Sequence, residues 1–309
     1  MNRATLGVRC HRIKKYIPIY LMLLPGAIYL LINNYIPMAG IVMAFKNLNF
    51  SKGIWGSDWV GLKNFEYLFK TPEAFNMTRN TILYNLVFIV LTMLLSVFVA
   101  ILLSEVRRKI SMKIYQTVLL LPYMISMVIV SYLGYAFMAE DGGLLNRMLT
   151  SMGKESISWY NAPQYWPVIL TVIQLWKNVG YQSIIFLAAV MGIDQEMYEA
   201  ASIDGCSKTK QIFKITIPMI VPTIITMTLL QIGRIFYSDF GLFYQVPLNS
   251  GALYNVTTTI DTYVFRGLMT LGDFSMSSAA CVYQSLVGFI LVLIANAITK
   301  KYSAENALF

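Results

Sequence analysis

Hydrophobic and polar positions divide this chain into long apolar runs separated by shorter charged stretches. A bilayer core about 30 Å thick needs roughly 20 apolar residues per helix. Six runs meet that length: approximately 16–45, 80–103, 112–138, 166–191, 212–237 and 275–299. The first is punctuated by Pro18, Pro25 and Pro37, which predicts kinks or an interfacial start. Its length and polar ends read as a span rather than a cleavable leader. The expected fold is therefore an all-α integral membrane protein with six transmembrane helices. A basic tail over 1–15, the helical domain over 16–299 and a short tail over 300–309 make up the chain.

The stretch 199–218, EAASIDGCSKTKQIFKITIP, carries charge that its apolar neighbours lack. Asp194 is placed to cap a short helix whose first turn holds Glu196, and Gly205 is placed to end it. A second helix is expected from about Ser207, with Ile212, Phe213 and Ile215 on one face and Pro218 at the entry to the next run. The whole interruption, 194–218, reads as helix, glycine turn and helix. Such an element suits insertion into a partner's groove at the membrane surface.

Composition supports the membrane reading. Of 309 residues 57% are hydrophobic and 13% charged, and mean hydropathy is +0.60. The net charge of +9 fits basic loops beside anionic lipid better than nucleic acid in so apolar a chain. Three scattered cysteines, Cys10, Cys206 and Cys281, imply no disulfide framework, and the lone His11 leaves no metal site to build.

Lys and Arg are unevenly shared between alternate connecting segments. One set holds Arg3, Arg9, Arg12, Lys14 and Lys15, the cluster Arg107, Arg108, Lys109 and Lys113, then Lys208, Lys210 and Lys214, and finally Lys300 and Lys301. The opposite set is sparser, so both termini and the 194–218 interruption are expected in the cytoplasm. Trp55, Trp59, Trp159 and Trp166 then fall in or beside outer segments, as an interfacial aromatic belt predicts. The last outer loop, 238–274, is long enough either to form a vestibule or to be a solvated connector.

The six runs contain no Asp or Glu, which argues against a proton relay or carboxylate-bound sodium coupling. The chain also lacks a G-x-x-x-x-G-K-[ST] phosphate loop, so it is not itself a P-loop ATPase; if transport is active, a separate subunit would hold the ATP and Mg. No acid-base or nucleophile-base constellation suggests catalysis. Lys113 and Lys214 fall at run ends, and two cations stand out deeper within runs, Lys177 and Arg234. Gln174, Asn178 and Tyr181 share a helical face beside Lys177, and Gln231, Arg234 and Ser238 share another by i, i+3, i+7 spacing. Aromatic rings and amides in a row suit a sugar, with rings against its CH face and amides at its hydroxyls. The competing reading is interhelical glue.

Glu199, Ala200, Ala201, Asp204, Gly205, Ile215 and Pro218 stand in a pattern that resembles the EAA loop of ABC importer permeases. Cys206 and Ile217 depart from the commonest form, where alanine and leucine are usual. Further stretches, IPMAGIVMAFKNLNF, WVGLKNFEYLF, RNTILYN, LPYMIS, WKNVGYQSIIFLAA and IDTYVFR, are similar to carbohydrate permeases of the maltose type, in the subgroup for oligosaccharides from complex, often uronate-containing polysaccharides. The resemblance implies a type I importer fold, with the EAA element as coupling helices between spans four and five. It also implies a second homologous permease subunit, an ATPase dimer and an extracytoplasmic solute-binding protein in a bacterial cell membrane. The rival class is a passive channel or a self-contained secondary transporter.

Overall fold

The computed structural model describes residues 3–302, with side chains described over 16–301. The basic side chains of the N-terminal tail, Cys10, His11 and most of the 300–309 tail lie outside the described residues.

The opening helix α1 (Arg3–Leu30) continues through a widened turn at Leu31–Tyr35 and a tightened stretch at Ile36–Phe45. Its prolines do not break it, so Tyr16–Phe45 forms one 30-residue apolar rod whose most apolar part is not buried by any of the described residues. A two-stranded hairpin follows, with Lys46 paired to Trp59 and Asn47 to Asp58. Asn64 on α2 (Lys63–Lys70) donates to the carbonyls of Ala44 and Lys46, both at 2.9 Å, and fixes the hairpin to that helix.

Thr71 caps α3 (Pro72–Ser104), its hydroxyl accepting from the Ala74 amide at 3.3 Å with Pro72 in the first turn. The third apolar run is not a single rod. It forms α4 (Lys109–Met124) and α5 (Met127–Met138), which meet at 92°. Pro122 removes a backbone donor near the end of α4, and the Ser126 hydroxyl caps α5 by accepting from the Ile129 amide at 3.4 Å. A short helix, α6 (Leu144–Ser151), leads to α7 (Trp166–Met191), whose bounds coincide with the fourth run.

After α7 come α8 (Gln195–Ile203) and α9 (Lys208–Ile232), the latter with a widened turn at Ile212–Thr216. The chain then folds back through short helical turns to α10 (Ile260–Arg266) and the final helix α11 (Phe274–Tyr302). By length and composition α1, α3, α9 and α11 can each cross a membrane, and the bent α4–α5 pair counts as a fifth. The 26 residues of α7 are long enough, but Gln174, Lys177, Asn178 and Gln182 make it more polar than those helices.

The core forms where α7 packs along α3, the most extensive helix pairing in the chain. Tyr84, Phe88, Trp166, Leu170, Leu242, Phe243, Val246 and Leu253 make the cluster at the end of α7 that holds Trp166, and Met93, Ala100, Leu103, Phe186 and Leu187 the one toward its other end. Residues 238–274 are thus no solvated connector, because Leu242, Phe243, Val246, Leu253 and Ile260 are all buried. Trp166 likewise departs from the expected aromatic belt. It is fully buried and its indole donates to the Trp159 carbonyl at 2.8 Å, whereas Trp55 and Trp59 stay exposed.

Candidate functional site

Two sites follow from this architecture, one at the tip of the charged interruption and one among the helices. At the first, the Asp194 carboxylate accepts from the Glu196 amide at 3.0 Å and starts α8. The helix ends where Gly205 takes φ +72°, a left-handed conformation that costs glycine little. The Cys206 amide then bonds back to the Ala201 carbonyl at 2.8 Å, and Ser207 leads into α9. Gln211 is buried and donates to the Ser202 hydroxyl at 2.9 Å and to the Cys206 carbonyl at 3.2 Å, which clamps the two helices across the turn.

Glu199, Ala200, Asp204 and Gly205 are exposed, and Ala201 is half-buried. Ile215 packs inward with Tyr198, Val190, Ile193 and Ile220, tying the projecting element to α7 and α9. Phe213 points outward at 66% exposure, so it does not share the inner face expected with Ile212 and Ile215. Pro218 stands in the first turn of the regular helical stretch Ile217–Ile232, just past the widened turn Ile212–Thr216, and so marks the entry to that run. A Lys208–Glu105 ion pair at 3.6 Å joins the element to the end of α3.

The second site is a cavity of about 660 Å³ between α3, α7 and the end of α9. Gln174 and Asn178 from α7 line it with Gln231, Arg234 and Ser238. The residues do meet, although not by the geometry that spacing predicts. Helix α9 ends at Ile232, so Arg234 sits in the following turns and Ser238 beyond them rather than one helical face below Gln231. Ser238 is held there by Asp261, whose carboxylate accepts from its amide at 2.7 Å and its hydroxyl at 2.8 Å.

Lys177 and Tyr181 stand apart from this lining. The Lys177 ammonium is buried and donates to backbone carbonyls at the α4–α5 break, and Tyr181 stacks on Tyr123 with ring centroids 4.4 Å apart. Sequence reasoning missed Asn85, Thr92, Gln182 and Asp239. Gln182 follows Gln174 and Asn178 at successive i+4 steps, and Asn85 and Thr92 are seven apart on α3, so periodicity alone could have found both pairs. The side-chain amides of Gln174, Gln182 and Gln231 each keep one buried atom without a protein partner, an unusual concentration of free hydrogen-bonding capacity.

Along α3, Asn85 donates to the Ile235 carbonyl at 2.9 Å and the Tyr237 carbonyl at 3.0 Å, while Asn80 donates to the carbonyls of Asn255 and Thr258. The RNTILYN stretch therefore staples the folded-back segment to α3. Within that segment Arg266 stacks on Tyr254 at 4.0 Å and donates to the Thr258 hydroxyl at 3.1 Å, and burial pulls its pKa below the usual value.

A bundle of apolar helices around a polar cavity, with a charged helix-turn-helix projecting from it, defines a membrane transport subunit. Residues 92–303 match the family described as the binding-protein-dependent transport system inner membrane component. The chain is 36% identical to the polygalacturonan/rhamnogalacturonan transport system permease protein YteP of Bacillus subtilis, over 95% of this chain and 90% of that protein. It is 35% identical to the protein LplB of Bacillus subtilis, over 93% of this chain and 90% of that one. Its fold superposes on a chain of a bacterial ABC transporter involved in the import of the acidic polysaccharide alginate, with a TM-score of 0.86 and 30% identity over 95% of this chain and 98% of that chain. A second structure of a bacterial alginate transporter, in complex with an alginate pentasaccharide-bound periplasmic protein, superposes with a TM-score of 0.85 at 29% identity, covering 95% of this chain and 97% of that one. The chain belongs to the binding-protein-dependent transport system inner membrane component family. It is a multi-pass membrane permease subunit rather than an enzyme.

Proposed function

We propose that this chain is a permease subunit of an ATP-driven importer of oligosaccharides, acidic uronate-containing ones among them. The observation that carries this reading is the convergence of Gln174, Asn178, Gln182, Gln231 and Arg234 on one cavity. Amides with unpartnered atoms suit sugar hydroxyls, and a guanidinium suits a uronate carboxylate by paired hydrogen bonds. The relatives that handle polygalacturonan, rhamnogalacturonan and alginate support the acidic class.

The rest of the machine follows the family's logic. Six spans cross a bacterial cell membrane, with α7 as the fourth and the bent α4–α5 pair as the third, and both termini face the cytoplasm. The α8–Gly205–α9 element docks on an ATPase dimer, which holds the ATP and Mg. Rigid-body rocking then opens the cavity alternately to the two sides. A solute-binding protein delivers the sugar to the folded-back outer segment, and a second permease completes the path. Co-purification tests the assembly: tagged chain should retain an ATPase and a second permease. Sugar uptake by this chain alone in liposomes, without ATP, would overturn the reading.

A further inference from the structure

The 92° break between α4 and α5 takes from the last carbonyls of α4 the amides four residues on that a continuous helix would supply, although the Pro122 carbonyl still accepts from the Ile125 amide at 3.3 Å. In a bilayer such groups are costly unless another group satisfies them. Lys177 of α7 reaches across to them. Its ammonium donates to the carbonyl of Pro122 at 3.3 Å, to that of Tyr123 at 3.1 Å, and also to that of Ile125. An ammonium has three N–H donors, so the three carbonyls use its full capacity. The ammonium also lies 5.9 Å from the centre of the Tyr123 ring, whose other contact is the stack with Tyr181 one turn further along α7. The negative end of the α4 dipole adds to the attraction.

The arrangement borders the sugar cavity. Asn178, the next residue on α7, lines it, and so does Asp239. Residues 239–246 pack on the same break, with Gly241 directly against the Met127 side chain and the Leu242 amide donating to the Asp239 carboxylate at 3.1 Å.

We propose that Lys177 is a positioning residue that latches the third span in its bent form by capping the carbonyls of Pro122, Tyr123 and Ile125, next to the cavity but not as a ligand of the sugar. The latch holds α5 and the 239–246 segment at the angle that shapes the cavity's outer wall. Losing it lets α5 swing toward the line of α4 and uncouples that wall from the rest of the bundle. The inference rests on the transport reading only for its uptake arm.

The test uses the complete importer in lipid nanodiscs, with Cys10, Cys206 and Cys281 each replaced by serine and spin labels at Ile114 and Leu133, exposed positions on either side of the break. Lys177→Met should lengthen and broaden the distance between the labels, and Lys177→Arg, which keeps charge and donors, should stay close to the parent. In proteoliposomes Lys177→Met, which removes all three donated bonds, should lower maximal uptake by at least about tenfold, the size even one lost charged hydrogen bond carries, at unchanged KM. If Lys177→Met does not assemble, Lys177→Gln, which keeps two donors, takes its place with a smaller effect in the same direction. An unchanged distance distribution would overturn the latch. A raised KM with maximal uptake intact would also overturn it, because the ammonium would then be touching the sugar. The distance measurement needs neither sugar nor ATP, so it stands even if the chain carries a different substrate.

Discussion

Gly180 on α7 lies against the main chain of Leu119 on α4, so closely that a Cβ at Gly180 would sit 1.8 Å from the Leu119 carbonyl oxygen. Small residues let membrane helices approach in this way. The contact lies one turn from the Lys177 bonds, and together they seat α4 on α7. Gly180→Ala should destabilise the protein by about 1–3 kcal/mol through overpacking. Thermal unfolding in detergent measures it, with Gly26→Ala as the control, since nothing lies within 4 Å of that glycine's Cβ position. Equal midpoints for both variants would contradict the contact.

Glu199 is exposed on α8. If α8 docks on an ATPase as proposed, Glu199→Arg should leave the unfolding midpoint unchanged and weaken retention of that ATPase by at least about tenfold, through reversed charge at the contact. Pull-down followed by coupled uptake reads both effects.

Gly205 adopts φ +72° between α8 and α9. Gly205→Val places a β-branched residue in a left-handed conformation at a cost of about 1–2 kcal/mol. Because the turn is exposed, the strain should appear as a displaced or frayed α8 rather than as global unfolding. Faster hydrogen exchange confined to 195–206, together with reduced uptake, is the expected result.

Asn85 holds the chain after α9 by donating to the Ile235 and Tyr237 carbonyls. Asn85→Leu leaves both acceptors unpaired and should cost about 1–3 kcal/mol. The same change should slow sugar uptake, because Arg234 and Ser238 lie on either side of the released stretch. A stability loss without any uptake change would separate the staple from the site.

Legibility followed local chemistry. The cap at Asp194, the turn at Gly205 and the bounds of α7 were readable because capping, left-handed glycine and apolar length are properties of a few adjacent residues. The α4–α5 break was not, since 118–138 is predominantly apolar on both sides of the break and Pro122 with Ser126 is tolerated inside membrane helices. Its cause is partly remote: Lys177, 52 residues beyond Ile125, supplies the cap. The same distance problem misplaced Lys177 itself. Helical spacing put it beside the sugar stripe, whereas a flexible four-carbon stem turned its charge toward carbonyls of another helix. For Arg234 and Ser238 the residues were right to group but the helix was assumed to run to Tyr237, when it ends at Ile232.

The most direct test of the central claim compares uptake of an oligogalacturonate with that of a neutral oligosaccharide of equal length. It uses the complete importer, with its binding protein, in ATP-loaded proteoliposomes. Arg234 is the cation in the cavity lining. Arg234→Gln should raise KM for the acidic sugar about 10- to 100-fold, as loss of a charge-assisted hydrogen bond predicts, and leave neutral uptake within about twofold. Unchanged preference for the acidic sugar in Arg234→Gln would contradict the assignment of this cavity as the sugar path.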